Sequence, residues 1–312
     1  MIEFEKVAFV FPGQGSQSVG MGRDLWTHST AARRIFEEVD DILKMPLTKL
    51  IFEGPEEQLR SSINSQPAIM TVSLASLKAA QERIPHLPQP SFLAGHSLGE
   101  YTSLVVSKVL SLTDAIKLAY ERGRLMTEAS NLQPGGMAAI WGMEESELSQ
   151  ICSETNVQIA NINSPNQIVI SGDMSSLSEA IKVASSRGAK RATMLDVSGA
   201  FHSNLMHSAQ EGLKETINKL EFHDPSTTIL ANCTANPLTT ASQVKQELLS
   251  QLCNCVQWTK SVLTMVSSGV SAFMEFGPGQ VLSNLIRKIN KNISTYAFNN
   301  LSAIQGHASI KQ

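Results

Sequence analysis

Continuous apolar runs along the chain predict strands that are buried on both faces. Residues 7–11 and 92–94 are such runs, and 272–276 is apolar at every position except Glu275. The first and last of these segments combine aliphatic and aromatic side chains. This pattern is typical of parallel strands covered by helices on both sides. Between the first two runs, apolar residues recur at helical spacing over 22–44, and Gln66-Pro67 indicates the first turn of another helix. Helices alternating with strands predict the α/β class.

The pattern changes in the middle of the chain. Strand-like segments alternate with helical ones there in the order β-α-β-β-α-β, over 137–142, 144–155, 157–162, 167–171, 175–188 and 190–197. This order is that of the ferredoxin-like unit. We therefore expect a small ferredoxin-like domain at 131–197, inserted into a larger domain formed by 1–130 and 198–312.

Composition narrows the class of protein. The 312 residues are 42% hydrophobic, enough for one large or two modest domains. The net charge is -3 and no dense Lys/Arg block is present, which argues against a nucleic-acid surface. Residues 1–6 carry acids where a secretory signal carries bases, and no apolar run approaches the roughly 20 residues that span a bilayer. We expect a cytoplasmic protein with no membrane segment.

Four cysteines are too few and too unevenly spaced for a disulfide framework: Cys152, Cys233, Cys253 and Cys255. No second Cys or His pair lies near Cys253 and Cys255 at zinc-ligand spacing, so we expect reduced thiols and no metal.

A glycine-rich loop at 12–17 follows the first predicted strand and raises the question of a dinucleotide site. Ser18 stands where the fingerprint needs its third glycine, and no acidic ribose partner follows about 20 residues later. We expect no cofactor. The loop can instead bring backbone N–H groups close to a reacting atom, because glycines permit such an approach.

Gly95-His96-Ser97-Leu98-Gly99 follows a strand pattern and precedes a helical one, the context of a nucleophile elbow. Ser97 is the candidate nucleophile, and the alternative is a strand-to-helix turn that happens to hold a serine. A serine needs a base. His96 is poorly placed because neighbouring side chains diverge. His202 lies at a loop-to-helix junction and is the better candidate, against the alternative of a surface or core histidine.

Four motifs together resemble the malonyl-CoA:acyl carrier protein transacylases, a family that includes the fatty-acid-synthesis enzyme and polyketide synthase acyltransferases. In order, they are Phe11-Pro12-Gly13-Gln14-Gly15-Ser16-Gln17, Gly95-His96-Ser97-Leu98-Gly99-Glu100-Tyr101, Gly199-Ala200-Phe201-His202-Ser203 and Glu275-Phe276-Gly277-Pro278-Gly279. The resemblance runs from about residue 7 to 298. It implies an α/β-hydrolase-like large domain interrupted by a ferredoxin-like small one, in agreement with the order of elements above.

The resemblance also implies roles for individual residues. Ser97 would carry the acyl group as an ester, and His202 would take its proton and later return one to the departing thiol. The backbone N–H groups of Leu98 and Gln14 would form the oxyanion hole. Gln14 has the alternative of simply holding its loop.

A carboxylate behind the histidine is not evident. Asp114, Asp173 and Asp196 lie between the two candidate catalytic residues, and none has a compelling context. In the family that the chain resembles, a backbone carbonyl orients the histidine, and the matching residue is Gln257. A neutral carbonyl can fix the imidazole tautomer.

Substrate choice is assigned to two further residues. The resemblance implies that Arg122 grips the free carboxylate of malonate, for which a planar, always-charged group is suited. Without the resemblance, a solvated helix position in which Arg122 pairs with Glu121 or Glu128 would be favoured. Phe201 resembles the malonyl-selective form of its motif, since its ring would crowd the α-methyl group of methylmalonate.

The function implied is transfer of malonate from malonyl-CoA, through a Ser97 ester, to the phosphopantetheine thiol of an acyl carrier protein. The pathway would be fatty acid or polyketide synthesis, and we expect a monomer. A serine hydrolase on the same scaffold, either an esterase or a proofreading enzyme, is the main alternative. A non-catalytic docking module is disfavoured by the intact Ser97 and His202.

Overall fold

The structure is a computed structural model that describes residues 6–307. The first five residues, which carry most of the argument against a secretory signal, lie outside this part. Its strands are β1 (Val7–Phe11), β2 (Phe92–Gly95), β3 (Gly135–Trp141), β4 (Gln158–Ser164), β5 (Gln167–Asp173), β6 (Arg191–Met194), β7 (Thr228–Leu230), β8 (Pro237–Leu238), β9 (Ala272–Phe276) and β10 (Ser294–Phe298).

The helices lie between and after these strands. They are α1 (Arg23–His28), α2 (Thr30–Leu43), α3 (Leu47–Glu53), α4 (Glu56–Arg60), α5 (Ser62–Arg83), α6 (Gly99–Val106), α7 (Leu112–Leu132), α8 (Glu145–Thr155), α9 (Met174–Ser186), α10 (His207–Asn218), α11 (Ala241–Gln251), α12 (Trp258–Ser267), α13 (Val281–Ile289) and α14 (Leu301–Gly306), with a 3-10 turn at Asn204–Met206. None of the described helices is long and apolar enough to cross a membrane.

The larger sheet has six strands in the order β10-β9-β1-β2-β7-β8, and only β8 runs antiparallel to its neighbour. The three predicted apolar runs are the adjacent strands β9, β1 and β2 in its middle. In register, Val10 lies beside Ala94 on one side and Glu275 on the other. The carboxyl ends of these parallel strands therefore meet at one edge, where open α/β sheets carry their ligand sites.

Burial on both faces explains why these strands are apolar at nearly every position. Val7, Phe9 and Phe11 of β1 join the main core cluster with α5 and α7. Ala8 and Val10 join a second cluster on the other face of the sheet, with α12 and α13. Because successive side chains of a strand point to opposite faces, both faces require apolar residues.

The smaller sheet has four antiparallel strands in the order β4-β5-β3-β6 and packs against α8 and α9. This confirms the predicted ferredoxin-like unit, while the exact domain boundaries, 131 and 197, stay a prediction. Backbone hydrogen bonds tie this sheet to the larger part: Ile162 N–H donates to Val256 O at 2.9 Å, and Val256 N–H donates to Ala160 O at 2.8 Å.

Two helix predictions were wrong in detail. The segment 22–44 forms two helices, because Ser29 leaves the helical conformation and its hydroxyl accepts a hydrogen bond from Ala32 N–H, capping α2. Pro67 lies inside α5 instead of at its start, since that helix begins at Ser62. The edge strand β10 gave no signal because most of its residues are only partly buried.

Candidate active site

Ser97 occupies a sharp turn between β2 and α6 and has a φ of 51°, a strained value for a residue with a side chain. The flanking glycines allow this turn. A Cβ on Gly95 would lie 1.8 Å from the carbonyl carbon of Gly99, and a Cβ on Gly99 would lie 2.0 Å from Phe11 O. Both positions therefore exclude any larger residue, as the motif predicts.

His202 and Ser97 meet although 105 residues separate them. The distance from His202 Nε2 to Ser97 Oγ is 2.8 Å, a hydrogen bond. His202 also has a positive φ of 57° and is only 5% exposed, so the loop holds its ring in one place. His96 lies beside the same cavity, but its Nε2 pairs with Asn163 Oδ1 at 2.8 Å. The choice of histidine made from the sequence thus agrees with the geometry.

The carbonyl behind the histidine belongs to Gln251, and the assignment to Gln257 was wrong. His202 Nδ1 lies 2.8 Å from Gln251 O, at the end of α11, where helix carbonyls lack partners within the helix. The carbonyl of Gln257 instead accepts from Ser261 N–H in the first turn of α12. Because a carbonyl only accepts, Nδ1 carries the proton and Nε2 is free to accept one from Ser97.

None of the three candidate acids approaches the histidine. Asp114 lies in the first turn of α7, where it accepts a hydrogen bond from Ser111 Oγ. Asp173 caps α9. Asp196 is exposed and pairs with Arg60. The site is thus a serine–histidine pair oriented by a backbone carbonyl.

Burial, and next to it the positive charge of Arg122, lowers the pKa of His202 to about 3. Both effects disfavour the imidazolium form. At neutral pH the ring is therefore uncharged and able to accept the serine proton.

Arg122 is 1% exposed and points its guanidinium at the nucleophile. Its Nη2 lies 3.1 Å from Ser97 Oγ and 2.9 Å from Gln251 Oε1, and its Nη1 lies 2.8 Å from Gln66 Oε1. The ring of Tyr101 lies under the cation at 5.2 Å. Burial lowers the pKa of this arginine.

No carboxylate of the described chain makes an ion pair with this guanidinium, and its Nε is buried without a hydrogen-bond partner among residues 6–307. The alternative for Arg122 was a surface ion pair with Glu121 or Glu128. Both of these acids instead pair with the neighbouring Arg124. A desolvated cation that lacks an anion is suited to bind one.

Two backbone amides, those of Gln14 and Leu98, belong to the loop and the elbow that meet at Ser97. Gly13 packs so closely on the elbow that a Cβ there would lie 2.3 Å from His96 O, which brings the glycine-rich loop against Ser97. Within the described chain, neither Gln14 N–H nor Leu98 N–H donates a hydrogen bond to another group. Leu98 N–H also lies at the start of α6, where the helix dipole favours negative charge. The Gln14 side chain is held by Ser62 at 3.1 Å.

A cavity of about 230 Å³ opens above the serine. Its lining combines the glycine-rich loop, Ser97 and His202 with apolar side chains, among them Met126, Met137, Val197 and Phe201. Phe201 is 5% exposed. Among the described residues, no three His, Cys, Asp or Glu side chains are grouped to hold a metal ion.

Sequence reasoning missed the residues that support the site. Asn232 Oδ1 accepts from Ser97 N–H at 2.7 Å, and its Nδ2 donates to Gly95 O at 2.8 Å, so one amide clamps both sides of the elbow. Gln66 and Gln251 accept hydrogen bonds from Arg122, and Gln251 also donates to Ser97 O. Glu100 accepts from the side chain of Gln251. Asn232, Gln66 and Gln251 lie in no recognisable motif, so the sequence does not mark them as functional. Glu100 is marked only as part of the elbow motif.

This arrangement of side chains and backbone groups is that of a serine acyl-transfer site. Comparison with known proteins identifies the family to which the chain belongs. The acyl transferase domain family model matches residues 8–301. The chain is 42% identical over 305 residues to the malonyl CoA-acyl carrier protein transacylase of Bacillus subtilis strain 168, covering 96% of this chain and 95% of that protein.

Solved structures of malonyl transacylases are similar to the chain over nearly its whole length. The acyl-carrier-protein-S-malonyltransferase of Bartonella henselae superposes with a TM-score of 0.93 at 38% identity, covering 96% of this chain and 98% of that one. A malonyl-transacylase solved in complex with its type II polyketide acyl-carrier protein gives a TM-score of 0.93 at 36% identity, covering 97% and 99%. The chain belongs to the malonyl-CoA:acyl carrier protein transacylase family, as its four motifs predict.

Proposed function

We propose that the chain is an acyl carrier protein S-malonyltransferase, which moves malonate from malonyl-CoA through a Ser97 ester to the phosphopantetheine thiol of an acyl carrier protein. The observation that carries this proposal is the buried guanidinium of Arg122, 3.1 Å from the serine oxygen. The reaction belongs to fatty acid or polyketide synthesis. The names of the similar proteins support both substrates, and the complex with a polyketide carrier protein supports the partner.

In the first half-reaction, His202 Nε2 takes the Ser97 proton while Oγ attacks the thioester carbonyl. The N–H groups of Gln14 and Leu98 stabilise the resulting oxyanion, a contribution worth about 3 kcal/mol for each donor in such sites. The intermediate then collapses, the carbon–sulfur bond breaks, and the imidazolium returns its proton to the departing CoA sulfur. The carbonyl of Gln251 holds the ring in the tautomer that this transfer needs.

In the second half-reaction, the carrier thiol gives its proton to His202 and its sulfur attacks the ester carbonyl. The new thioester forms as the bond to Ser97 Oγ breaks, and the proton passes back to that oxygen. The same base and the same oxyanion site thus serve both halves.

Arg122 explains the choice of malonate. In a malonyl ester the free carboxylate lies about 3–4 Å from the ester oxygen, two carbon–carbon bonds beyond the reacting carbonyl. A guanidinium that already contacts Ser97 Oγ therefore lies within reach of that carboxylate and can bind both of its oxygens. An enzyme for neutral acyl chains would have no use for this buried charge.

Phe201 limits the room beside the acyl group. We propose that its buried ring crowds the α-methyl group of methylmalonate, with a discrimination of about 1–3 kcal/mol that leaves selectivity incomplete. We further propose a cytoplasmic monomer. The four cysteines, all free, support a reducing compartment.

Intact-mass measurement after mixing the protein with malonyl-CoA tests the covalent step. The wild type should gain one malonyl group, and Ser97→Ala should gain none at the same concentration. An adduct on Ser97→Ala, or no adduct on a folded wild type, would refute the proposal.

A further inference from the structure

We infer that Glu100 is a positioning residue for malonyl recognition. By binding the NH₂ group of the Gln251 side chain, it directs the oxygen of that amide toward Arg122. The inference deepens the proposed function and rests on it, since the group being positioned is the proposed malonate-binding guanidinium.

Gln251 makes hydrogen bonds to the serine, the histidine and the arginine of the site. Its side-chain Nε2 donates to Ser97 O at 3.0 Å and to the carboxylate of Glu100, and its Oε1 accepts from Arg122 Nη2 at 2.9 Å. Its backbone carbonyl lies 2.8 Å from His202 Nδ1. Chemistry forces this orientation of the amide, because a backbone carbonyl and a carboxylate only accept, whereas a guanidinium only donates.

Glu100 is fully buried on α6, three residues after the nucleophile. Its two oxygens have different partners. One accepts from Gln251 Nε2 and the other from Asn232 N–H at 3.2 Å. Two donors therefore face one side chain, and a carboxylate satisfies both, whereas an amide of the same shape satisfies only one. Desolvation raises the pKa of Glu100 well above its ordinary value, with the negative charge of Glu247 a further cause. The hydrogen bonds from Asn232 and Gln251 lower the pKa and favour the ionised, acceptor-only form, which is the form that the inference requires.

Replacing Glu100 with glutamine removes the acceptor that fixes the orientation of the Gln251 side-chain amide. Its NH₂ group would face the NH₂ group of Gln251 or the N–H of Asn232, and turning the Gln251 amide over would relieve the first conflict. A turned amide would direct its NH₂ at Arg122, so the guanidinium would lose an acceptor and meet another donor. Malonyl binding depends on the placement of that guanidinium, whereas acetyl loading does not.

The test compares loading of malonyl-CoA with loading of acetyl-CoA in wild type and Glu100→Gln. We expect the malonyl-to-acetyl ratio of kcat/KM to fall by about tenfold or more, mainly through KM for malonyl-CoA. Glu247→Gln is the matched control: Glu247 is also a buried carboxylate and accepts from Cys233 N–H at 2.8 Å, but it makes no hydrogen bond to Gln251. Its ratio should stay within about twofold of wild type.

Gln251→Leu provides a second route if Glu100→Gln does not fold. It removes the side-chain hydrogen bonds and keeps the backbone carbonyl that faces His202, so the ratio should fall here too. Where both single variants fold, the double variant should lose no more than the larger single loss, because both changes break one linked set of contacts.

An unchanged ratio in whichever single variant folds, equal losses for both CoA esters, or additive losses in the double variant would overturn the inference. Failure of the wild type to load malonate would instead refute the proposed function, so the two failures are distinguishable.

Discussion

Arg122→Met removes the buried cation and keeps a long, flexible apolar side chain in its place. In the free protein the guanidinium binds only neutral groups: the Ser97 hydroxyl, two glutamine amides and the face of Tyr101. A malonyl carboxylate would be its first anionic partner. The variant therefore isolates the charge that distinguishes malonate from neutral acyl groups.

The size of the effect follows from the bonds lost. Two hydrogen bonds between charged groups contribute about 1.5–3 kcal/mol each, or about 3–6 kcal/mol together. The guanidinium must give up its bond to Ser97 Oγ to make them, so we take about 4 kcal/mol, in the lower half of that range. This corresponds to about a thousandfold in kcat/KM.

The assay measures loading rates with malonyl-CoA and with acetyl-CoA. We expect malonyl loading by Arg122→Met to fall about a thousandfold and acetyl loading to change by less than about tenfold. Arg124→Met is the control, because that residue lies on the same helix and forms partly exposed ion pairs with Glu121 and Glu128, which contribute little. Equal losses for the two esters, or a malonyl loss below tenfold, would refute the assignment.

Three further predictions concern the rest of the site. Asp114→Asn, Asp173→Asn and Asp196→Asn should each keep loading within about threefold, since none of these acids contacts the histidine, and a thousandfold loss in any one would restore a triad. The lowered pKa of His202 implies that its ring is uncharged above pH about 3, so kcat/KM should stay level as pH falls from 7 to about 5. Initial rates that decline from about pH 6.5 would contradict this. Phe201→Ala should reduce the preference for malonyl-CoA over methylmalonyl-CoA by about tenfold when both esters compete in one tube, and an unchanged preference would contradict the role of the ring.

Sequence patterns predicted the parts of the molecule that depend on local rules. The strands β1 and β9 are visible in the sequence because burial on both faces favours apolar residues at nearly every position. The exception is Glu275, whose buried carboxylate accepts hydrogen bonds from Leu282 N–H and Ser283 N–H. The tight elbow around Ser97 requires glycine on both sides, and that requirement is visible as a motif. The ferredoxin-like unit was found because each of its elements has its own hydrophobic period.

The supporting residues were not predictable in the same way. Asn232 and Gln251 reach the serine across 135 and 154 residues of chain, and their neighbours in sequence carry no pattern that marks them. The assignment of Gln257 was wrong for another reason, because it rested on matching this residue to the family that the chain resembles. Where α11 ends decides which carbonyl is free to face the histidine, and a match of residue types does not fix a helix end.

The burial of Arg122 was likewise invisible in the helical pattern, because Arg122 and Arg124 lie two residues apart on one helix with similar neighbours. Only the packing of α5 and Tyr101 around α7 shows which of the two arginines is desolvated.

The fate of the malonyl-enzyme tests the central claim most directly. The acylated protein, separated from CoA, is divided between buffer alone and buffer containing a phosphopantetheinylated acyl carrier protein, and both are followed by mass. We predict that the carrier gains the malonyl group as the enzyme loses it, while the ester in buffer alone persists many times longer. Release of free malonate at the same rate in both samples would contradict the account and identify a hydrolase.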